Sequence, residues 1–194
     1  TSIVDTGAFA GHNTWSYTYD SLDRLTSVTT PYGIVTYGLN DKLNRTDTKT
    51  ASGQGPIAYT RDNNDNITAI AQNGVSANLT FDALNRLTQQ TLPTTPNAVT
   101  TAWAFDAAGF LTSVTSSKSG TTLDSHTYTR DAVGNITQEV VAGSNPATNL
   151  FGYDDLYRLT SATVAGTAYA WAYDAVGNRL SQTVAGTTTN YPYD

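Results

Sequence analysis

The amino-acid sequence predicts an all-β chain, in which tandem β-hairpins lie side by side as one long, coiled antiparallel sheet. Three observations predict it. A phrase built around an aspartate recurs along all 194 residues. Before each aspartate the large apolar residues stand two apart, the period of a strand. The composition is that of strands and turns, with 12 Tyr, 15 Gly and only 13% charged residues, because Tyr and Thr suit a pleated, half-buried surface. No stretch carries the three-and-four spacing of a long amphipathic helix.

The repeat is set by Asp20, Asp41, Asp62, Asp82, Asp106, Asp131, Asp154, Asp174 and Asp194, which follow one another at intervals of 20–25 residues. Eight to nine such units fill residues 1–194, so the chain is read as a single repeat array. Self-similarity at a fixed period marks folds whose units bury their surface only against their neighbours. The chain begins at Thr1 and stops in mid-phrase at "YPYD", and is expected to be a fragment or a processed piece of a longer protein.

Each unit opens on an outgoing strand. Three residues before the aspartate stand Tyr17, Tyr59, Leu79, Trp103, Tyr128, Phe151, Trp171 and Tyr191, with Gly38 as the break. One residue before it stand Tyr19, Phe81, Phe105, Tyr153, Tyr173 and Tyr193. Small or polar residues such as Thr18, Thr60 and Ala172 fall between, giving one aromatic face and one thin polar face. The stripe is expected to act by packing, ring against ring one hairpin away, worth ~0.5–1.5 kcal/mol per pair beyond area. Stacking on sugars, or lining a cavity that holds an unfolded guest, are its alternative uses.

The turn follows. Three residues after the aspartate come Asp23, Asn44, Asp65, Asn85, Gly109, Gly134, Tyr157 and Gly177. All but Tyr157 tolerate positive φ, as a three-residue hairpin loop with a type I turn and a left-handed bulge residue requires. Gly109, Gly134 and Gly177 are the clearest of these positions. The nine aspartates then read as structural, their carboxylates accepting backbone N–H bonds inside the turn. At Tyr157 a strained or differently built turn is expected. The return strand starts at Leu25, Ile67, Leu87, Leu111, Ile136, Leu159 and, after one extra residue, Leu180; a Thr follows directly in the first six. Gly-, Ser-, Pro- and Asn-rich links such as "PYG" and "ASGQGP" lead to the next unit.

The chemistry available is sparse. With no Cys, thiolate catalysis and disulfides are excluded. A net charge of −6 with scattered cations disfavours nucleic acid, whose phosphates need a positive patch. No apolar run reaches the roughly 20 residues of a bilayer-spanning helix. Arg24, Arg45, Arg86, Arg158 and Arg179 follow their turns; pairing with the recurrent aspartates as a ladder across strands is favoured over a row of anion sites. "DNNDN" at 62–66 is the most calcium-like cluster, but it coincides with a turn and lacks the glycine and distal glutamate of an EF-hand loop. His12 and His126 read as solitary strand histidines. No nucleophile elbow or phosphate loop is present, and no enzyme, metal site or cofactor is expected.

"YDSLDRLTSVT" (19–29), "FDALNRLTQQT" (81–91), "YDDLYRLTSAT" (153–163) and "YDAVGNRLSQT" (173–183) resemble the YD repeats of Rhs-type proteins. That family includes bacterial polymorphic toxins, shell components of insecticidal toxin complexes, wall-associated proteins and teneurins. The resemblance runs over essentially the whole chain. It implies a β-strip that spirals into a hollow shell, often around a toxic C-terminal domain. The "DPxG" core segment that closes such shells in the toxin branch is not in these 194 residues, and about nine units are fewer than a closed shell takes.

The expected function is therefore a non-enzymatic wall that encloses or presents a toxin or other cargo in an exported bacterial protein, secreted or at the cell surface. An extracellular structural or adhesive filament is the alternative, and a carbohydrate-binding surface the second. The expected partners are the flanking repeats or identical copies, joined through open sheet edges. An enclosed cargo and glycans follow, with no nucleic acid and no membrane span.

Overall fold

The computed structural model describes residues 2–4, 14–38, 45–93 and 98–193, so Asp41, Asp194, His12 and Asn44 lie outside the described residues. The chain forms two compact units, Thr1–Thr95 and Pro96–Asp194. In the first, the strands are β1 (Ser2–Val4), β2 (Thr14–Tyr19), β3 (Leu25–Thr30), β4 (Gly33–Gly38), β5 (Thr48–Ala51), β6 (Ile57–Arg61), β7 (Ile67–Gln72), β8 (Val75–Phe81) and β9 (Leu87–Leu92). The second contains β10 (Val99–Phe105), β11 (Leu111–Lys118), β12 (Thr121–Arg130), β13 (Ile136–Gly143) and β14 (Ala147–Tyr153). It continues with β15 (Leu159–Val164), β16 (Thr167–Tyr173), β17 (Arg179–Val184) and β18 (Thr187–Asn190). Within each unit every strand pairs antiparallel with its successor, as in β2–β3, β7–β8, β12–β13 and β16–β17. The architecture is all-β, and no described residue is helical.

Such a meander sorts its connections. Aspartate turns follow the even-numbered strands and lie along one edge of each sheet; links follow the odd-numbered strands and lie along the other. The two edges obey different rules. At the aspartate edge the geometry is constant: Tyr19 faces Leu25, Phe81 faces Leu87, Phe105 faces Leu111 and Tyr173 faces Arg179. The last pair corrects the reading of an extra residue before Leu180. Arg179 fills the slot that Leu or Ile holds elsewhere, and the turn has its usual length.

One position further along the return strand, the register slips by one residue in every described repeat. The unpaired residue is Thr26, Thr68, Thr88, Thr112, Thr137 or Thr160, and Leu180 in the last repeat. A bulge strands backbone polar groups, and the threonine answers locally. The Oγ1 hydroxyls of Thr68, Thr88, Thr137 and Thr160 donate to the carbonyls of Thr60, Thr80, Thr129 and Gly152 at 3.1–3.3 Å. The Thr after each Leu or Ile is thus a bulge residue.

At the link edge, Asn73-Gly74, Ser119-Gly120, Ala165-Gly166 and Ala185-Gly186 all have positive φ at both residues. These are two-residue hairpin loops of the I′ kind, whose twist matches the flanking strands. Ala165 and Ala185, each at φ 47°, carry a Cβ where Asn or Gly fits with less strain.

The sheets are one layer thick and have almost no interior. Among the described residues only Ala162 and Asn149 are buried. Cohesion therefore comes from the ladders, the turns and the contacts between neighbouring hairpins.

Candidate functional site

The aspartate turn is the most repeated polar structure in the molecule, and its seven described copies superpose in bonding. In each, the aspartate N–H donates to the carbonyl four residues on, at 2.9–3.0 Å, and its own carbonyl accepts the N–H three residues on. The carboxylate closes the loop from inside. Oδ1 of Asp154, for example, accepts the Leu156 and Arg158 N–H groups at 3.0 and 2.9 Å. Oδ2 then accepts a side chain from the fourth residue: Arg Nε from Arg24, Arg86 and Arg158 at 2.6–2.7 Å, or Asn Nδ2 from Asn66, Asn135 and Asn178 at 2.8–3.0 Å. In the Asp106 turn the fourth residue is Phe110, whose N–H reaches Oδ1 at 2.9 Å.

This arrangement corrects the expected ladder. Arg24, Arg86 and Arg158 clamp the aspartate of their own turn. Arg45 instead reaches across to the next repeat and pairs with Asp65. Arg179, one residue later than the others, takes no part in a clamp; its guanidinium lies 4.6 Å from the centre of the Tyr191 ring.

The hydrogen bonds leave their mark on the acids. In Asp20, Asp82 and Asp154 the backbone N–H of the clamping arginine, then that residue's side chain and the intervening N–H, hold the carboxyl below the usual range against partial desolvation. In Asp62 and Asp131 the asparagine amide is the largest influence. At Asp174 desolvation is the largest and opposes the shift, but the Asn178 amide and the turn N–H groups together outweigh it. A lowered native pKa means the folded chain releases these protons more readily than the unfolded one. Its contribution is complete above the unfolded value near 4 and is lost as pH falls through the native values. Thermal unfolding followed by circular dichroism is expected to show a melting temperature that drops steeply below about pH 4. A flat profile from pH 5 down to pH 3 would remove the aspartates from the list of stabilising groups.

At the left-handed position Asp23, Asp65 and Asn85 have φ of 57°, 72° and 60°, and Gly109, Gly134 and Gly177 have 92°, 99° and 98°. Tyr157 occupies the same place at φ 61°, with the same bond from its N–H to the Asp154 carbonyl at 2.9 Å. The turn is built like the others, and a bulky side chain carries the strain. Replacing Tyr157 by Gly is expected to stabilise the chain by about 1 kcal/mol, measured by urea unfolding; a loss of stability would assign the exposed ring a packing role.

The aromatic stripe lies on one face of each sheet, with Tyr17, Tyr59, Trp103, Tyr128, Phe151, Trp171 and Tyr191 all half-buried. Tyr169 and Trp171 stack along one strand with centroids 5.9 Å apart. Between hairpins, where ring-on-ring packing was expected, a guanidinium takes the place of the second ring at several positions. Arg158 sits 4.8 Å from the Tyr173 ring and Arg130 5.3 Å from Phe110, geometry in which the ring's negative face attracts the cation. The phenols add directed bonds, with Tyr153 Oη donating to the Ile136 carbonyl at 3.0 Å and Tyr173 Oη to that of Leu159 at 2.9 Å. On this face Tyr128, Ile136, Glu139, Phe151, Tyr153 and Leu159 line an open cleft of about 300 Å³.

One polar cluster escaped the sequence reading. His126 is not solitary: its Nδ1 lies 2.8 Å from Glu139 Oε1 and its Nε2 3.0 Å from Asp124 Oδ2. Alternation puts Asp124 and His126 on one face of β12, and the Asp131 turn with its bulge brings Glu139 opposite Tyr128. That register was the signal available. The calcium-like stretch 62–66 is absorbed by its turn and by Asn64 and Asn66, whose amides both reach Asn85 Oδ1. Among the described residues no group of three or more His, Cys, Asp or Glu is arranged to hold a metal ion, and no helix is long and apolar enough to cross a membrane.

Comparison with known proteins adds to this geometry. A family model described as RHS Repeat matches residues 8–35 and 81–122. No curated protein sequence matches the chain. Among solved structures, the chain resembles the TcdB2-TccC3 crystal structure with a TM-score of 0.55 at 17% identity, covering 92% of this chain and 10% of that one. It resembles TcdB2-TccC3-TEV with a TM-score of 0.53 at 13% identity, covering 88% and 12%. A Photorhabdus luminescens Tc holotoxin pore gives 0.51 at 13% identity over the same shares. At these identities the likeness is one of fold, and the chain spans about a tenth of those proteins' length.

Proposed function

Because the chain belongs to the Rhs/YD-repeat family, we propose that it is a non-enzymatic segment of wall in an exported bacterial protein, enclosing or presenting a toxin or other cargo outside the cell. The observation that carries this reading is the near absence of an interior: apart from Ala162 and Asn149, every described residue keeps part of its surface accessible. A globular binding domain or enzyme builds its site on a packed core. A single-layer sheet has two large faces to offer, which is what a partition needs.

The bonding fits that role. The turns brace one edge of each sheet, and the arginine and phenol contacts join hairpin to hairpin, so a load on one repeat passes to the next. The aromatic face, with its open cleft beside Phe151 and Tyr153, suits a lining against which an apolar or unfolded guest rests. The Tc toxin complexes to which the chain is similar in fold motivate the choice of a toxin as cargo.

The test uses the complete parent polypeptide. Negative-stain microscopy is expected to show discrete hollow particles, and limited trypsin digestion an internal segment that survives until the particle is opened by denaturant. Long filaments, or equal digestion of all segments from the start, would overturn the proposal in favour of a fibre.

A further inference from the structure

A hydrogen-bonded chain joins three strands and a link of the second unit. It starts at Asp124 and His126 on β12, passes to Glu139 on β13 and Asn149 on β14, and ends in the link between β15 and β16. His126 Nε2 meets Asp124 Oδ2 at 3.0 Å, and Nδ1 meets Glu139 Oε1 at 2.8 Å. The other oxygen of Glu139 accepts the Asn149 amide at 2.8 Å. Asn149 Oδ1 in turn accepts the backbone N–H of Ala165 at 3.0 Å. Asn149 is 8% exposed and the only buried polar side chain among the described residues.

The geometry dictates the charge of the histidine. Both ring nitrogens face a carboxylate oxygen, and a carboxylate only accepts. A neutral imidazole donates from one nitrogen and presents a lone pair from the other; only the imidazolium donates from both. Loss of the proton therefore sets a lone pair against an anion at one of the two contacts.

The groups facing the ring are few. On its own strand these are Asp124, the Tyr128 ring 6.4 Å away and, beyond it, Arg130. From β13 comes Glu139, while the residues directly opposite His126 are Val114 on β11 and Val141 on β13. Two carboxylates thus act on the imidazolium at hydrogen-bond range, while Arg130 is stacked over the rings of Tyr128 and Phe110.

We propose that His126 is the pin of a pH-sensitive latch: as the imidazolium it draws β12 and β13 together and, through Glu139 and Asn149, restrains β14 and the Ala165-Gly166 link; once neutral it lets them go. The bond to Glu139 first, and then Asp124, raise the histidine pKa from its ordinary 6.5 against desolvation. The latch is therefore fully closed below that ordinary value and opens as pH rises through the raised native one. At the acid end the same latch is limited by its carboxylates, of which Glu139 is held below its ordinary value by Asn149 and His126.

The decisive measurement pairs two readouts on the wild-type chain. The His126 ring protons are followed by NMR through a pH titration, and amide exchange at Ala165 is measured near about pH 6 and about pH 9, with the intrinsic pH dependence of exchange divided out. A histidine titrating above 6.5, together with a several-fold loss of Ala165 protection at the higher pH, is the expected result. Titration at or below the ordinary value, or equal protection at both pH values, overturns the latch. His126→Gln, which carries no titrating proton, is expected to show low Ala165 protection that does not change with pH. Protection that still varies with pH in this variant would place the switch elsewhere. If His126→Gln does not fold, the wild-type pair of measurements decides alone.

Discussion

Gly143→Ala is expected to cost the second unit about 3 kcal/mol and to lower its melting temperature by roughly 10 °C. Two independent penalties fall on this residue at the end of β13. Its φ of 130° lies where an L side chain is rarely found. Its missing Cβ would also stand 2.5 Å from the Leu123 carbonyl oxygen and 3.1 Å from Asp124 Cα. Those atoms are backbone, so they yield only if β12 moves away from β13. Gly177→Ala makes the control. Gly177 has φ 98° and nothing within 4 Å of the added atom, so it suffers the conformational penalty alone. Differential scanning calorimetry of the two variants separates the terms, and equal losses would mean that the close approach at Gly143 is not what holds it glycine.

Asn149→Ala is expected to be nearly as damaging, at about 2–3 kcal/mol, for a different reason. The amide of Asn149 joins Glu139 Oε2 to the Ala165 N–H, and removing it strands one donor and one acceptor in a partly buried site. An unsatisfied group of that kind costs about 1–3 kcal/mol. Asn149→Asp keeps the acceptor for Ala165 but sets a carboxylate against Glu139, and is expected to be no better than Ala at neutral pH. Urea denaturation of the three proteins tests this, and an Asn149→Ala midpoint within error of wild type would show that water replaces the amide without cost.

How much of this was legible in the sequence follows from how local each feature is. The hairpins, the strand faces and the aspartate turns depend on residues at most seven apart, and the pattern of Tyr-x-Tyr-Asp and of Gly, Asn or Asp three residues on stated them directly. The thiol-free, acidic composition removed whole classes of chemistry in one step. The bulge at Thr26 and its equivalents was visible as a recurring threonine, yet its reason lay across the strand in a carbonyl such as that of Thr80. His126 and Glu139 show the same limit more sharply. They are 13 residues apart, and finding them together requires counting through the Asp131 turn and then allowing for one slipped residue at Thr137. The clamp of Arg158 on its own Asp154, where a cross-strand pair was expected, turned on a choice between near neighbours that charge pattern alone does not resolve. Leu180 misled because it carried the identity of a strand-opening leucine in the slot of a bulge threonine.

The contrast between the two edges of each sheet bears on how such a protein is altered. Among the described repeats the aspartate side keeps one length throughout, while the far side varies both in its links and in the strands that lead to them. Around a two-residue link, β11 and β12 run 8 and 10 residues where β7 and β8 run 6 and 7. Glycines of the short links, such as Gly74, Gly120, Gly166 and Gly186, have open space around them. The link margin is therefore the side on which an inserted epitope or loop is expected to be tolerated, except at the Ala165-Gly166 link, which Asn149 holds. The aspartate margin acts as a selvedge, woven to one count in all seven described turns, and an added residue there is expected to break the weave.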